Sequence, residues 1–475
     1  MKLHVTVLAF FLVGTLASAS LCGAVSNPLH PFPQHVRYAP ATISPAVSRQ
    51  TMDSDVRLFY DHWKSSYLVT AGTAPDGTPM YRVSFGSENP ARTVSEGQGY
   101  GMLIVTFMAG YDSHAREIFD GLWAFTRQHQ STVDDRLMQW EVPGNPSSGM
   151  DAAFDGDADM AHALFLADAQ WGSDDGVNYR WNGEQLLAAI KESMTGHQSH
   201  LLMLGDWVEQ NGAEYNQYTP RSSDFMPAHF RSWYRLTGNS YWMLVLQATQ
   251  AAIFQVQRDY SPATGLLPDF MVPHSSVNHS LKPASPNFLE GPHDGHYEYN
   301  AGRVPWRIAT DALLNGSSVS FDQAGKIADW IVQASAGDVD GIHDGYFLNG
   351  LPLRSDSGFT TFFAAPFGVA LMTTPAHQQF LTDIYLAVRQ RHEDYYEDSV
   401  NMLCLLLMSC NYWEPAGGYS GDVDGDLDVD LTDLILSLKV LTGQNPSEVI
   451  STGDINGDHM LGLPEVLYIL QESSL

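Results

Sequence analysis

A chain of 475 residues with 44% apolar content can bury a large core, which argues against wholesale disorder. Acidic residues outnumber basic ones by 54 to 24, giving a formal charge of −30. That field repels phosphate backbones and anionic bilayers and tolerates a neutral or cationic polymer, so no nucleic-acid partner is expected. From the N-terminus, Lys2, an apolar run over residues 3–16 and the small residues Ala17-Ser18-Ala19 read as a secretory signal peptide spanning 1–24. The run is too short to span a bilayer, and no later stretch is apolar enough, so a soluble secreted protein is expected. Residues 25–52 are Pro-rich and read as an exposed leader, followed by a main domain over 53–413, a Pro/Gly/Ser linker over 414–420 and a distinct module over 421–475. Three cysteines are too few for a disulfide scaffold, and Cys404 and Cys410 read as buried thiols.

Within the main domain, apolar positions three and four apart predict helices near 100–112, 115–129, 157–171, 224–236, 240–260, 359–372, 378–391 and 398–408. Alternating strand patterns are few and short. A long series of paired helices without a short repeat predicts an all-α toroid of helical hairpins. Two segments break the helical pattern. Ser95-Glu96-Gly97-Gln98-Gly99-Tyr100-Gly101-Met102 puts three glycines at a helix start, each costing about 1 kcal/mol in helix propensity. Such glycines let another segment or a ligand approach the backbone. Glu96 there is either a first-turn carboxylate favoured by the helix dipole or a functional acid. In Asp155-Gly156-Asp157-Ala158-Asp159, Asp157 reads as a helix cap and Asp155, just outside the helix, as free to face a ligand.

Together these segments resemble glycoside hydrolase family 8, over roughly residues 53–412. Further matching pieces are Trp63-Lys64, Gly205-Asp206-Trp207, Ser223-Asp224-Phe225-Met226 and Ala365-Pro366-Phe367-Gly368; Phe154 stands where the family signature has Ser or Thr. The resemblance implies an (α/α)6 barrel and hydrolysis with inversion. Inversion takes two carboxyls about 6.5–9.5 Å apart, one protonating the leaving oxygen and one activating water. By resemblance Glu96 is the acid, and Asp155 binds and distorts the sugar at the cleavage point. Tyr100, Trp140, Asp224, Tyr299, Asn300, Arg303, Tyr395 and Tyr396 are expected around the substrate. Desolvation and nearby Asp155 are expected to raise the pKa of Glu96. The base departs from the commoner family pattern: where many members have an aspartate, this chain reads Tyr299-Asn300-Ala301. A subset of the family, including some chitosanases and lichenases, uses a loop glutamate instead. Here that implies Glu290 in Phe288-Leu289-Glu290-Gly291-Pro292, with Asp294 and Glu298 as alternatives and a merely solvated Glu290 as the bland reading. The 18 histidines form no tight cluster along the sequence, so no catalytic metal or other catalytic cofactor is expected.

Beyond Gly421, Asp422, Asp424, Asp426, Asp428 and Asp433 occupy positions one, three, five, seven and twelve of a loop that runs into a helix. Asp454, Asn456, Asp458 and Glu465 repeat positions one, three, five and twelve. Oxygen ligands at these spacings suit Ca2+. The pair resembles a dockerin, an EF-hand-like module that binds cohesin receptors, although Leu427 and His459 stand where position six usually has glycine. The whole reads as a secreted, inverting endo-glycosidase for a β-1,4-linked polysaccharide: cellulose or mixed-linkage β-glucan first, chitosan second. The alternative is a non-hydrolytic glycan-binding protein disabled by Asn300.

Overall fold

Six helices buried over most or all of their surface form the centre of the computed structural model, which describes residues 27–144, 150–174, 176–275, 279–356, 358–415, 421–424, 429–444, 446, 449 and 460–472. They are α2 (Ser95–Phe107), α4 (Phe154–Trp171), α6 (Pro227–Thr237), α8 (Val304–Asn315), α10 (Thr361–Leu371) and α12 (Tyr395–Met408). Each packs on the next, and α12 returns to α2, so the six close into a ring. A second set lies outside it: α1 (Arg49–Tyr67), α3 (Ala115–Gln128), α5 (Tyr179–Ser193), α7 (Tyr241–Asp259), α9 (Ser318–Ala334) and α11 (Gln378–Val388). α3, α5, α7, α9 and α11 each pack on the inner helix preceding them, and α1 packs on α12. Outer helices need only one apolar stripe, as Ile118, Phe119, Leu122 and Phe125 provide on α3, whereas an inner helix must be apolar almost all round. The result is the double ring of an (α/α)6 barrel.

That difference explains why the periodicity missed one inner helix. α8 carries Arg307 and Asp311 in an otherwise apolar run and is buried at every residue, so it shows no stripe. α1, α5 and α9 were also absent from the predicted set. Helix starts moved as well. α4 begins at Phe154, which puts Asp155 inside its first turn rather than outside, and Asp157 caps nothing: its Oδ1 accepts the Met138 N–H at 3.1 Å. Cys404 is buried and Cys410 half-buried, both as free thiols.

The leader is not the exposed segment its prolines suggested. Phe32, Tyr38 and Ala39 are buried, and its backbone N–H groups reach the ends of the inner helices. Leu29 donates to Gln170 O, Phe32 to Ala109 O, Val36 to Cys410 O, Ala39 to Leu313 O and Ile43 to Met372 O, at 2.7–3.0 Å. Helix C-termini leave orphan carbonyls, and an extended Pro-containing strand supplies donors there without competing as a helix. The expected signal peptide and residues 416–420 of the linker lie outside the described residues, while Pro415 is buried.

Three two-stranded antiparallel ladders decorate the barrel: β1 (Leu68–Thr73) with β2 (Pro79–Val83), β3 (Thr93–Val94) with β4 (Glu141–Val142), and β5 (Met271–Pro273) with β6 (Leu281–Pro283). Beyond the barrel, α13 (Leu431–Leu441) and α14 (Leu463–Glu472) pack around a separate core of Val423, Leu434, Leu436, Val466 and Ile469. Among the described residues no helix is long and apolar enough to cross a membrane.

Inside the ring, the third aspartate of the 155–159 motif is a structural pin. Asp159 accepts two hydrogen bonds from Arg307, at 2.9 and 2.5 Å, and one from His229 at 2.9 Å, tying α4 to α8 and α6. Removing one partner of a buried pair strands the other charge. Asp159→Ala is therefore expected to lower stability by about 3–5 kcal/mol, read from the midpoint of urea unfolding.

Candidate active site

The N-terminal ends of the inner helices gather at the end of the barrel opposite the leader. There they border a cleft of about 410 Å3 lined by Phe85, Arg92, Glu96, Trp140, Asp155, Arg221, Glu290, Tyr299, Asn300, Arg303, Tyr395 and Tyr396, among others. Helix N-termini favour negative charge, and Glu96 and Asp155 sit in the first turns of α2 and α4. A larger hollow of about 1030 Å3 lies between the leader and α3, but its acids are engaged: Asp112 with Lys64 and Tyr60, Glu117 with His114 and Tyr81, and Asp120 with Tyr179.

Close approach of α2 and α4 sets the spacing of the two acids. A Cβ on Gly156 would lie 2.4 Å from the Ser95 carbonyl carbon and 2.6 Å from the Glu96 nitrogen. Gly97 similarly leaves room for the Tyr395 ring, which a Cβ would meet at 2.8 Å. The glycines thus admit other parts of the same chain to the backbone. Tyr395, pressed against that bare helix surface, donates its hydroxyl to Glu96 Oε1 at 3.3 Å.

Arg303, itself buried, holds the centre together. Its Nη1 donates to Glu96 Oε2 at 2.6 Å and to Asp155 Oδ2 at 2.8 Å. Its Nη2 donates to Ser223 Oγ at 2.9 Å and to Asn300 Oδ1 at 3.0 Å. Burial raises the Glu96 pKa to about 7; Arg303 pulls against this and ionised Asp155 adds to it. Burial also works against the charge on Asp155, but Arg221 and Arg303 hold it well below the usual carboxylate range. One site thus holds a carboxyl near neutrality beside one that stays ionised. The Glu96 side chain keeps 17% of its surface exposed, enough to meet a ligand.

Glu290 approaches the same cleft from a loop. Asp294 fixes that loop by accepting the N–H groups of Leu289 at 2.7 Å, Glu290 at 3.1 Å and Gly291 at 2.8 Å. Phe288 packs against Phe270 and Tyr215 in a satellite core, and the Tyr215 hydroxyl donates to Phe288 O at 2.8 Å. Asp269 braces the facing turn through the N–H groups of Glu298, Asn300 and Ala301. The two acids considered beside Glu290 are otherwise engaged, Asp294 in its loop and Glu298 with Arg354.

Most of the expected substrate contacts line the cleft: Trp140, Tyr299, Asn300, Arg303, Tyr395 and Tyr396. Tyr299 is 38% exposed and stacks on Phe362, with ring centres 5.4 Å apart. Tyr100 and Asp224 do not reach the surface. Tyr100 lies beneath Arg303, whose Nη1 is 3.3 Å from its hydroxyl, and Asp224 is buried against Arg221. Three cleft residues went unread in the sequence. Arg221 pairs with both Asp155 and Asp224 at 3.0 Å, and Phe85 lies between Tyr395 and the guanidinium of Arg92. Arg221 stands next to the Ser222-Ser223-Asp224 segment, which was its one available signal.

Comparison with known proteins agrees with this geometry. Residues 31–409 match the profile of the glycosyl hydrolases family 8. The chain belongs to that family. It is 41% identical to a beta-glucanase of Niallia circulans over 82% of this chain and 93% of the relative. It is 32% identical to an endoglucanase of Bacillus sp. strain KSM-330, over 84% and 85% of the two chains. The apo structure of a beta-1,3-1,4-glucanase from Paenibacillus sp. X4 superposes with a TM-score of 0.75 at 39% identity, covering 82% of this chain and all of the other. This family 8 chain is a glycoside hydrolase.

In the C-terminal module the carboxylates of Asp422, Asp424 and Asp433 converge, with one oxygen of each lying within 4.8 Å of the others. Asp426, Asp428, Asp454, Asn456 and Asp458 lie outside the described residues. Glu465 is buried; its Oε2 accepts the Gly462 N–H at 2.6 Å.

A carboxyl with a pKa near 7 loses its proton as pH rises through that value. We expect kcat/KM on soluble β-glucan to fall on the alkaline side with an apparent pKa near 7. A pH–rate profile checks this, and in Glu96→Gln that limb should vanish along with most of the activity.

Proposed function

We propose that the chain is a secreted, endo-acting β-glucan hydrolase that inverts the anomeric centre, with Glu96 as general acid and Glu290 as general base. The observation that carries the reading is the orientation of Asn300. Arg303 can only donate, so the Asn300 carbonyl oxygen must face it and the amide nitrogen must face away. That nitrogen donates to Glu290 Oε2 at 2.7 Å, which orients the carboxylate. Asn300 therefore supports an acid where the commoner family pattern has the acid itself. In the reaction Glu290 takes a proton from water as its oxygen attacks the anomeric carbon. Glu96 gives its proton to the departing glycosidic oxygen, and ionised Asp155 stabilises the distorted sugar between them.

The names of the relatives favour β-glucan as substrate, and the open cleft rimmed by Trp140, Tyr299 and Tyr396 suits internal cleavage of a long chain. Lichenan, carboxymethyl-cellulose, chitosan and xylan assayed in parallel should show release of reducing sugar on the first two; turnover confined to chitosan or xylan refutes the substrate. Glu290→Gln should lower kcat by roughly 10²–10⁴-fold with the fold intact by circular dichroism, and an active variant removes Glu290 from the role. NMR of the first products should show the inverted anomer.

For the C-terminal module the proposed ligand is Ca2+, held in the first loop by Asp422, Asp424 and Asp433 together with Asp426 and Asp428. Two observations support it. The Asp433 carboxylate also accepts the N–H groups of Val423, Asp424 and Asp430, which folds the loop around the three acids. In the second loop Glu465 Oε1 is buried without a hydrogen-bond partner, an acceptor suited to a cation. The partner proposed is a cohesin-type receptor. Leu431, Ile435, Leu438 and Leu441 on α13 and Leu463, Leu467 and Leu470 on α14 expose an apolar surface suited to such docking. Calcium chelation should raise amide hydrogen exchange beyond residue 421 while leaving glucan hydrolysis unchanged; unaltered exchange there refutes the calcium assignment.

A further inference from the structure

Outside the cleft, the fold brings together three residues that lie far apart in sequence. His62 comes from α1, His392 from the connection between α11 and α12, and Asp398 from α12. The nitrogens His62 Nε2 and His392 Nδ1 each lie 3.6 Å from Asp398 Oδ2, and one donor atom from each of the three side chains falls within 4.8 Å of the others. We propose that His62, His392 and Asp398 form a binding site for a zinc-type divalent cation that clamps α1 to α12.

The donor set suits such an ion. Two imidazoles and a carboxylate are borderline ligands of the kind zinc takes, with bonds of about 2.0–2.2 Å that place neighbouring donors roughly 3.4 Å apart. The two 3.6 Å spacings are within a few tenths of an ångström of that figure. Asp398 is already oriented: it accepts the Tyr67 hydroxyl at 2.9 Å and the Glu393 N–H at 2.8 Å. Metal-ligating groups are generally held by such outer hydrogen bonds. Its side chain is wholly buried, yet among the described residues its ion-pair partners are the two histidines, with neither Lys nor Arg. A buried carboxylate without Lys or Arg beside it lacks a fixed compensating charge, and a divalent cation supplies one.

Access and geometry set the conditions. The two imidazoles stack with centroids 3.6 Å apart and planes 26° apart, so their lone pairs converge on one ion only when the rings open. Their side chains keep 39% and 32% of their surface exposed, which gives a hydrated ion a path and leaves a coordination position for water. The Phe59 ring, 4.6 Å from His392, limits the opening to one side. Neither histidine lines the catalytic cleft.

The test is equilibrium dialysis of the full chain against zinc chloride, in buffer saturated with calcium to occupy the C-terminal acids. His62→Gln and His392→Gln are the comparisons, since both side chains are partly exposed and tolerate polar replacement. The wild type should bind one more zinc per chain than the double variant, and each single variant should bind that ion at least tenfold more weakly. Zinc should also raise the melting temperature of the wild type, because it binds the folded state, and leave that of the double variant unmoved. Equal zinc stoichiometry and affinity in all four proteins overturn the assignment. A wild-type Tm unmoved by bound zinc overturns the clamp.

Discussion

One guanidinium organises the catalytic end of this barrel. Arg303 is buried between two carboxylates and an amide oxygen, and its fork divides between the two sides of the cleft. Toward one side it neutralises Asp155 and restrains Glu96 without cancelling the burial that keeps Glu96 protonated. Toward the other it fixes the Asn300 amide, and through it the environment of Glu290. A lysine there would be a point charge without the planar spread that serves several acceptors at once. The protonation states of this site follow from burial, which raises Glu96, set against Arg303 and Arg221, which hold Asp155 ionised.

The barrel makes that junction possible. Inner helices brought together at their N-termini focus partial positive charge on one end, where acids are wanted. Alternation along α4 then assigns three aspartates to three tasks. Asp155 faces the cleft, Asp157 holds the Met138 backbone, and Asp159 pins α4 to α6 and α8. Catalytic geometry and barrel stability therefore share a single turn of helix. Substitutions at Gly156 act on both, because the α2 backbone has no room to retreat.

Much of this was legible in the sequence, and what was not has physical reasons. The Glu96 and Asp155 segments stood out because their glycines are costly in a helix unless something must come close. The outer helices α3, α7 and α11 declared themselves by one apolar stripe, whereas α8, buried at every residue, did not, and the outer helices α1, α5 and α9 were missed as well. Arg221 was missed because an arginine in a loop is ordinarily solvated, and nothing local reveals that Asp155 and Asp224 will enclose it. From the sequence, Asn300 meant either a disabled enzyme or a base moved to a loop such as that of Glu290; only the fold brings Arg303 and Glu290 to its two ends. Eighteen histidines looked scattered, yet ring closure stacks His62 on His392. The leader misled because proline content signals an absence of helix, and exposure was inferred from that alone.

The leader's course also orders assembly. Residues 29–43 precede every inner helix in the chain, yet their hydrogen-bond acceptors lie in α4 and α8 and just beyond α2, α10 and α12. The ribbon's full set of hydrogen bonds cannot close until the last of those helices exists. Until then the ring lacks its floor, and its carbonyl ends stay open to water.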